Sequence, residues 1–278
     1  MTAPLPPITN IHTIDDVVNA IDGIINWSIA QQSRLGYFAA LYKRITIAIR
    51  TAVQQHLFQD NPRMERFDVI FASRYFAALN GWFWPAQFPP ASKVWQIAFE
   101  GALLPEPIIV QQMVAGVNAH IILDLGIAAE TVAPGALMPT LQVDFNRVNQ
   151  VLGSQVNAVL DEIDDLSPVL AELYDYFAKW EMDIINDVLK LTRDIAWDFA
   201  TKLATHPVFE KPLLIGFQDA KAAALGHIIY KPPFPLPAFI DAVAKQESRD
   251  IVHNIKVLDS QAEAFAERAA EVMPKVVG

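Results

Sequence analysis

His120 and Asp124 stand four residues apart in the stretch PIIVQQMVAGVNAHIILDLGIAAE, residues 107–130. At about 100° per residue, a helix places two such side chains on one face, a turn apart. A neutral imidazole and a carboxylate in that relation can turn toward one metal ion. Without a metal they can serve as an acid/base dyad, the aspartate orienting the imidazole and raising its basicity. The bland alternative is a hydrogen-bonded pair inside a packed core, the usual state of buried polar groups. Asn118, His120 and Asp124 together make a polar cluster in an oily helix, costly unless each finds a partner, and the cluster favours a site. Gly116, one turn before His120, leaves room beside the imidazole for another helix, a ligand or water. Asn118 points to the opposite side.

A metal at His120 and Asp124 needs further ligands from other helices, and Asp144, Asp194 and Asp198 are the candidates; zinc, iron or magnesium would suit such a set. The chain has no cysteine, so thiolate ligands, a cysteine nucleophile and disulfides are excluded. Arg74 or Arg147 is expected to steady an anionic group. Neither a G-x-S-x-G turn nor a glycine-rich phosphate loop is present. The acidic runs DEIDD (161–165) and NDVLKLTRD (186–194) are similar to diphosphate-binding motifs of terpene cyclases, but they lie too close together, and Lys190 stands where a hydroxyl belongs. The His-three-residues-Asp spacing is also similar to that of helical zinc-dependent phospholipases and nucleases, whose further histidines are missing here.

These residues need a helical frame. The stretch 107–130 is hydrophobic on nearly every side and so belongs at the centre of a protein. Around it, Thr13 caps a first helix to about Trp27, and a second runs from about Ser28 to Phe58 with Gly36 as a candidate break. Asp60-Asn61-Pro62 starts a third that ends at Asn80-Gly81. In that helix Arg74 sits among apolar neighbours and is expected to be buried and paired. The segment GWFWPAQFPPAS (81–92) is an aromatic loop that can shield a pocket, plug the end of the bundle or form a dimer contact. Ser92 caps a short helix. Further helices are expected from Leu141 to about Leu166, from Ser167, from about Trp180 to Thr205, from Leu213 to Ile229, and over 238–272, the last amphipathic and peripheral. The fold class is all-α, a single-domain multi-helix bundle around a buried apolar central helix.

The 278 residues, 53% hydrophobic and 19% charged, contain no uninterrupted apolar run of membrane-spanning length and no visible leader, so a cytoplasmic protein without a membrane span is expected. A net charge of −10, with Lys and Arg scattered, disfavours nucleic acid as a partner.

RFDVIFASRYFAAL (66–79), VNAHIILDLGIA (117–128) and DFNRVNQVL (144–152) resemble, in that order, a bacterial helical family catalogued as domain of unknown function 5995. The resemblance covers about residues 11–205, with 206–278 as a C-terminal helical extension. It implies a shared fold and the candidate positions Arg74, Tyr75, Asn118, His120, Asp124, Asp144, Asn146 and Arg147. The expectation is an enzyme acting on a small hydrophobic substrate by metal-assisted or His/Asp acid/base hydrolysis, elimination or cyclisation. Its rival is a non-catalytic carrier of a lipid-like ligand, or an interaction protein, in which the polar cluster is structural.

Overall fold

The computed structural model describes residues 3–149 and 190–260, and no strand occurs among them. Helix α1 (Ile14–Gln31) opens on a capping box: the Thr13 hydroxyl accepts from the Asp16 N–H, and Asp16 accepts from the Thr13 N–H. It ends at Gln32, whose φ of 51° turns the chain into α2 (Leu35–Gln54). The break therefore falls before Gly36. Gly36 lies inside α2, where a Cβ would stand 2.5 Å from Ile255 Cδ1.

Helix α3 (Asn61–Phe83) starts as expected, with the Asp60 side chain accepting from the Arg63 N–H and Pro62 in the first turn. It continues past Asn80-Gly81. A Cβ on Gly81 would meet the Pro89 carbonyl at 2.1 Å, so the following loop folds back directly on the helix. Trp82 packs on Phe99, Phe83 on Trp27, and the Trp84 indole donates to the Leu5 carbonyl. The aromatic segment thus closes one end of the bundle against the extended amino-terminal arm.

Helix α4 (Lys93–Leu103) is capped by Asp219, which accepts from the backbone of Lys93 and Val94, and not by the Ser92 side chain. The central element runs continuously from Ile109 to Val132 as α5 (Ile109–Val117), a π-helical stretch (Asn118–Leu125) and α6 (Gly126–Val132). By length and composition it could cross a membrane, yet 83% of its most apolar window is buried inside the protein. Seven of the eight residues in the π stretch are buried.

Two hydrophobic clusters flank the central element. One is built around Phe38, Tyr75, Trp95 and Phe99, the other around Phe58, Phe67, Leu125 and Phe145. The described chain then adds α7 (138–149) and α8 (190–205). It continues with α9 (Lys211–Tyr230), α10 (Leu236–Ala244) and α11 (Ile251–Asp259). The acidic run at 161–165, the first part of the run at 186–194, the helix start at Ser167-Pro168 and the last residues to 272 lie outside the described residues.

Of the C-terminal helices expected at the periphery, α10 buries only Val243, whereas α11 packs into the bundle. Ile255 of α11 is fully buried against α2, and Lys43 of α2 bonds Asp259 at 2.8 Å. Between α10 and α11, Glu247 presents both carboxylate oxygens to the Ile109 N–H at 3.0 and 3.1 Å, capping the central helix. Burial pushes the Glu247 carboxyl up to about 7, against the pull of that N–H and of Arg249.

Candidate functional site

Asp124 lies in the π stretch and is 1% exposed. One oxygen accepts from Arg74 Nε at 3.1 Å; the other accepts from Trp95 Nε1 at 2.8 Å and faces His120 Nδ1 at 3.2 Å. Helices α3 and α4 supply the arginine and the indole, so three elements converge on one carboxylate. The Arg74 side chain is 37% exposed and compensates the buried charge from the edge of the bundle. A carboxylate ringed by donors can only accept, which assigns the imidazole hydrogen to Nδ1. Nε2 then carries a lone pair, and this buried atom has no hydrogen-bond partner.

Burial drives the pKa of His120 below the ordinary histidine value; the Asp124 hydrogen bond and charge oppose that shift, and Arg74 adds to it. The imidazole is therefore neutral at pH 7. Phe71 lies flat on it, centroids 3.6 Å apart and planes 9° from parallel, while the Tyr42 ring stands edge-on at 4.7 Å. The space expected beside Gly116 is occupied by Phe38, whose ring a Cβ there would meet at 2.4 Å.

On the other side of His120 is a cavity of about 70 Å³, several times the 10–15 Å³ needed for one water by the same measure. Among the described residues all but four of those that line it are apolar; the four are Tyr42, Asp68, His120 and Arg193. Asp68 Oδ2 and the Tyr42 hydroxyl are buried without a hydrogen-bond partner. Desolvation raises the Asp68 carboxyl to about 7, and Glu65 adds to it. Desolvation also pushes the Tyr42 hydroxyl well up, with Asp68 contributing. Arg193 is 4% exposed, lies over the Phe145 ring at 4.4 Å and donates to the Phe145 carbonyl at 2.8 Å, and its Nε has no partner. Burial lowers its pKa to about 9, which leaves it charged at neutral pH.

The residues expected from sequence divide accordingly. His120, Asp124 and Arg74 come together. Tyr75 is buried between Phe38 and Trp95 and stands 6.1 Å from the imidazole by ring centroids, without lining the cavity. Asn118 donates to the Ala222 carbonyl at 2.8 Å and ties α9 to the central helix. Arg147 donates to the Leu57 carbonyl. Asp144 accepts from the backbone of Gln59 and Asp60 and from Arg63, holding the entry to α3. Asp194 and Asp198 are exposed on α8.

Asp144, Asp194 and Asp198 therefore do not join His120 and Asp124 as a ligand set, because Asp144 is committed to α3 and the other two face outward. Among the described residues no group of three or more His, Cys, Asp or Glu side chains is placed to hold a metal. Asp124 itself is saturated by its donors. The aromatic loop 81–92 does not line the cavity. Sequence reasoning missed Asp68, Tyr42, Phe71, Trp95 and Arg193. A buried tryptophan needs an acceptor for its N–H, so Trp95 was the one with a usable signal.

The architecture is that of a helical bundle built around a continuous central helix with a π-helical middle, with a carboxylate-oriented histidine on the lining of an apolar cavity. The chain belongs to a Family of unknown function (DUF5995), which matches residues 14–232. The match runs on through α9, further than the 11–205 expected from the resemblance. No curated protein and no solved structure matches the chain.

Proposed function

We propose that the protein is an acid/base catalyst acting on a small, largely apolar molecule bound in the cavity beside His120. The observation that carries this is the unpartnered Nε2 of a neutral imidazole whose Nδ1 is fixed by a buried carboxylate. An imidazole oriented in this way is a competent general base, since Nε2 is the atom that takes the proton. Asp68, held up to about 7, keeps a proton available on the same cavity at neutral pH. In an elimination, Nε2 would take a substrate proton, the released electron pair would form the new double bond, and Asp68 would protonate the leaving group. Cyclisation would use the same two proton transfers. Arg74, Trp95 and Asp124 act through the imidazole and are positioning residues.

The apolar lining also favours a second reading, in which the cavity stores a hydrophobic ligand without transforming it. The experiment is to incubate an extract of small hydrophobic metabolites with the wild-type chain and with His120→Gln, and to follow both by liquid chromatography and mass spectrometry. Conversion of a compound by the wild type, lost in His120→Gln and weakened in Asp68→Asn, is the expected result. A compound that is retained stoichiometrically and unchanged by the wild type supports the carrier instead. No conversion, or conversion that His120→Gln leaves intact, overturns the catalytic proposal.

A further inference from the structure

Arg193 lines the same cavity from α8, its guanidinium over the ring of Phe145, which stacks on the lining residue Phe67. A guanidinium in such a place normally faces a carboxylate, because a buried cation without an anion is expensive to keep. Here one nitrogen of the group is satisfied by the Phe145 carbonyl and one face by the Phe145 ring, neither of which neutralises it. No ion pair to Arg193 exists among the described residues. The other charged group on the cavity, Asp68, is not its partner, and the Asp194 carboxylate that acts on Arg193 belongs to a residue exposed on α8.

We propose that the cavity takes a small apolar monocarboxylate, with its carboxylate on Arg193 and its hydrocarbon body among Phe67, Phe71 and Ile121 toward His120. This deepens the function proposed above by naming the class of its substrate, and it rests on that cavity being a binding site. A planar guanidinium suits a carboxylate, which it can hold through two parallel hydrogen bonds. A phosphate or diphosphate is disfavoured, because among the described residues Arg193 is the one cation on an otherwise apolar or acidic lining. The volume of the cavity limits the body to a few carbons.

The test is calorimetric titration of the full chain at pH 7 with hexanoate, 1-hexanol and hexylammonium, which share one hydrocarbon chain and differ in the head. Hexanoate is expected to bind about tenfold or more tightly than 1-hexanol, the scale of one charge-assisted contact. Arg193→Gln is expected to abolish that preference while leaving 1-hexanol binding unchanged, and Arg193→Lys to retain part of it. Hexanoate binding no better than 1-hexanol, or a preference that survives Arg193→Gln, overturns the assignment but spares the cavity as a site. Hexylammonium binding most tightly would hand recognition to Asp68 and overturn it equally. If none of the three binds, the cavity reading falls as well. Should Arg193→Gln fail to fold, the ranking of the three heads on the wild type still decides.

Discussion

Asp68→Asn replaces, at nearly constant volume, a carboxyl on the cavity whose Oδ2 is buried without a hydrogen-bond partner. In the folded chain burial holds this carboxyl up to about 7, well above the ordinary 3.8 of an aspartate. The folded state therefore holds a proton over a window in which the unfolded chain has released it. Wild-type stability must fall as pH rises from about 4 to about 7, and the penalty is complete above that. At about 1.36 kcal/mol for each tenfold difference in proton affinity, the full penalty is about 4 kcal/mol, of which about 2–3 kcal/mol falls between pH 5 and pH 8. The asparagine variant lacks this titration but keeps any fixed cost of an unsatisfied amide. The informative quantity is thus the wild-type minus variant stability as a function of pH. Urea unfolding of both proteins at pH 5 and pH 8 should show that difference moving by about 2–3 kcal/mol in favour of the variant at the higher pH. A difference that stays constant within about 0.5 kcal/mol would mean that Asp68 is solvated or paired, and it would remove the acid from the proposed catalysis.

Trp95→Phe leaves Asp124 short of one of its donors and should cost about 1–3 kcal/mol in chemical denaturation, with the His120 ring nitrogens shifting in nitrogen-15 spectra. Unchanged stability and spectra would show that the indole does not bear on the carboxylate. Gly116→Ala should lower stability by about 1–3 kcal/mol, because the new methyl would overlap the Phe38 ring; a variant as stable as wild type by thermal melting would contradict the close packing there. Glu247→Ala uncovers the first N–H of the central helix and should cost about 0.5–2 kcal/mol at pH 8, read in urea. Because the wild-type Glu247 carboxyl is held up to about 7, its ionisation destabilises the fold as pH rises from about 4.5 to 7, so the cost of the substitution should be larger at pH 5.

Helix positions were legible because they depend on local signals. Thr13 and Asp60 cap as their types predict, and the all-round hydrophobicity of 107–130 correctly placed that helix at the centre. The π stretch was not legible, since NAHIILDL reads as ordinary α-helix and its extra backbone residue is held only by what packs around it. The same holds for Asp68, which on the page of RFDVIFASRY looks like the polar side of an amphipathic helix, and only burial against Tyr42 and Phe67 makes it unusual. His120 and Asp124 were readable as a pair from spacing and apolar context; Arg74 was expected to be paired and buried, and it pairs with Asp124 from a partly exposed position. Whether Asp124 was ligand or orienter depended on Trp95, 29 residues away in the chain.

The contact between Glu247 and Ile109 spans 138 residues of sequence. During synthesis, the amino end of the innermost helix emerges long before the carboxylate that satisfies it. Until then its leading amide must be served by solvent, so complete burial of that end waits for the late part of the polypeptide. Premature termination before residue 247 would consequently weaken the centre of the molecule and not merely its edge.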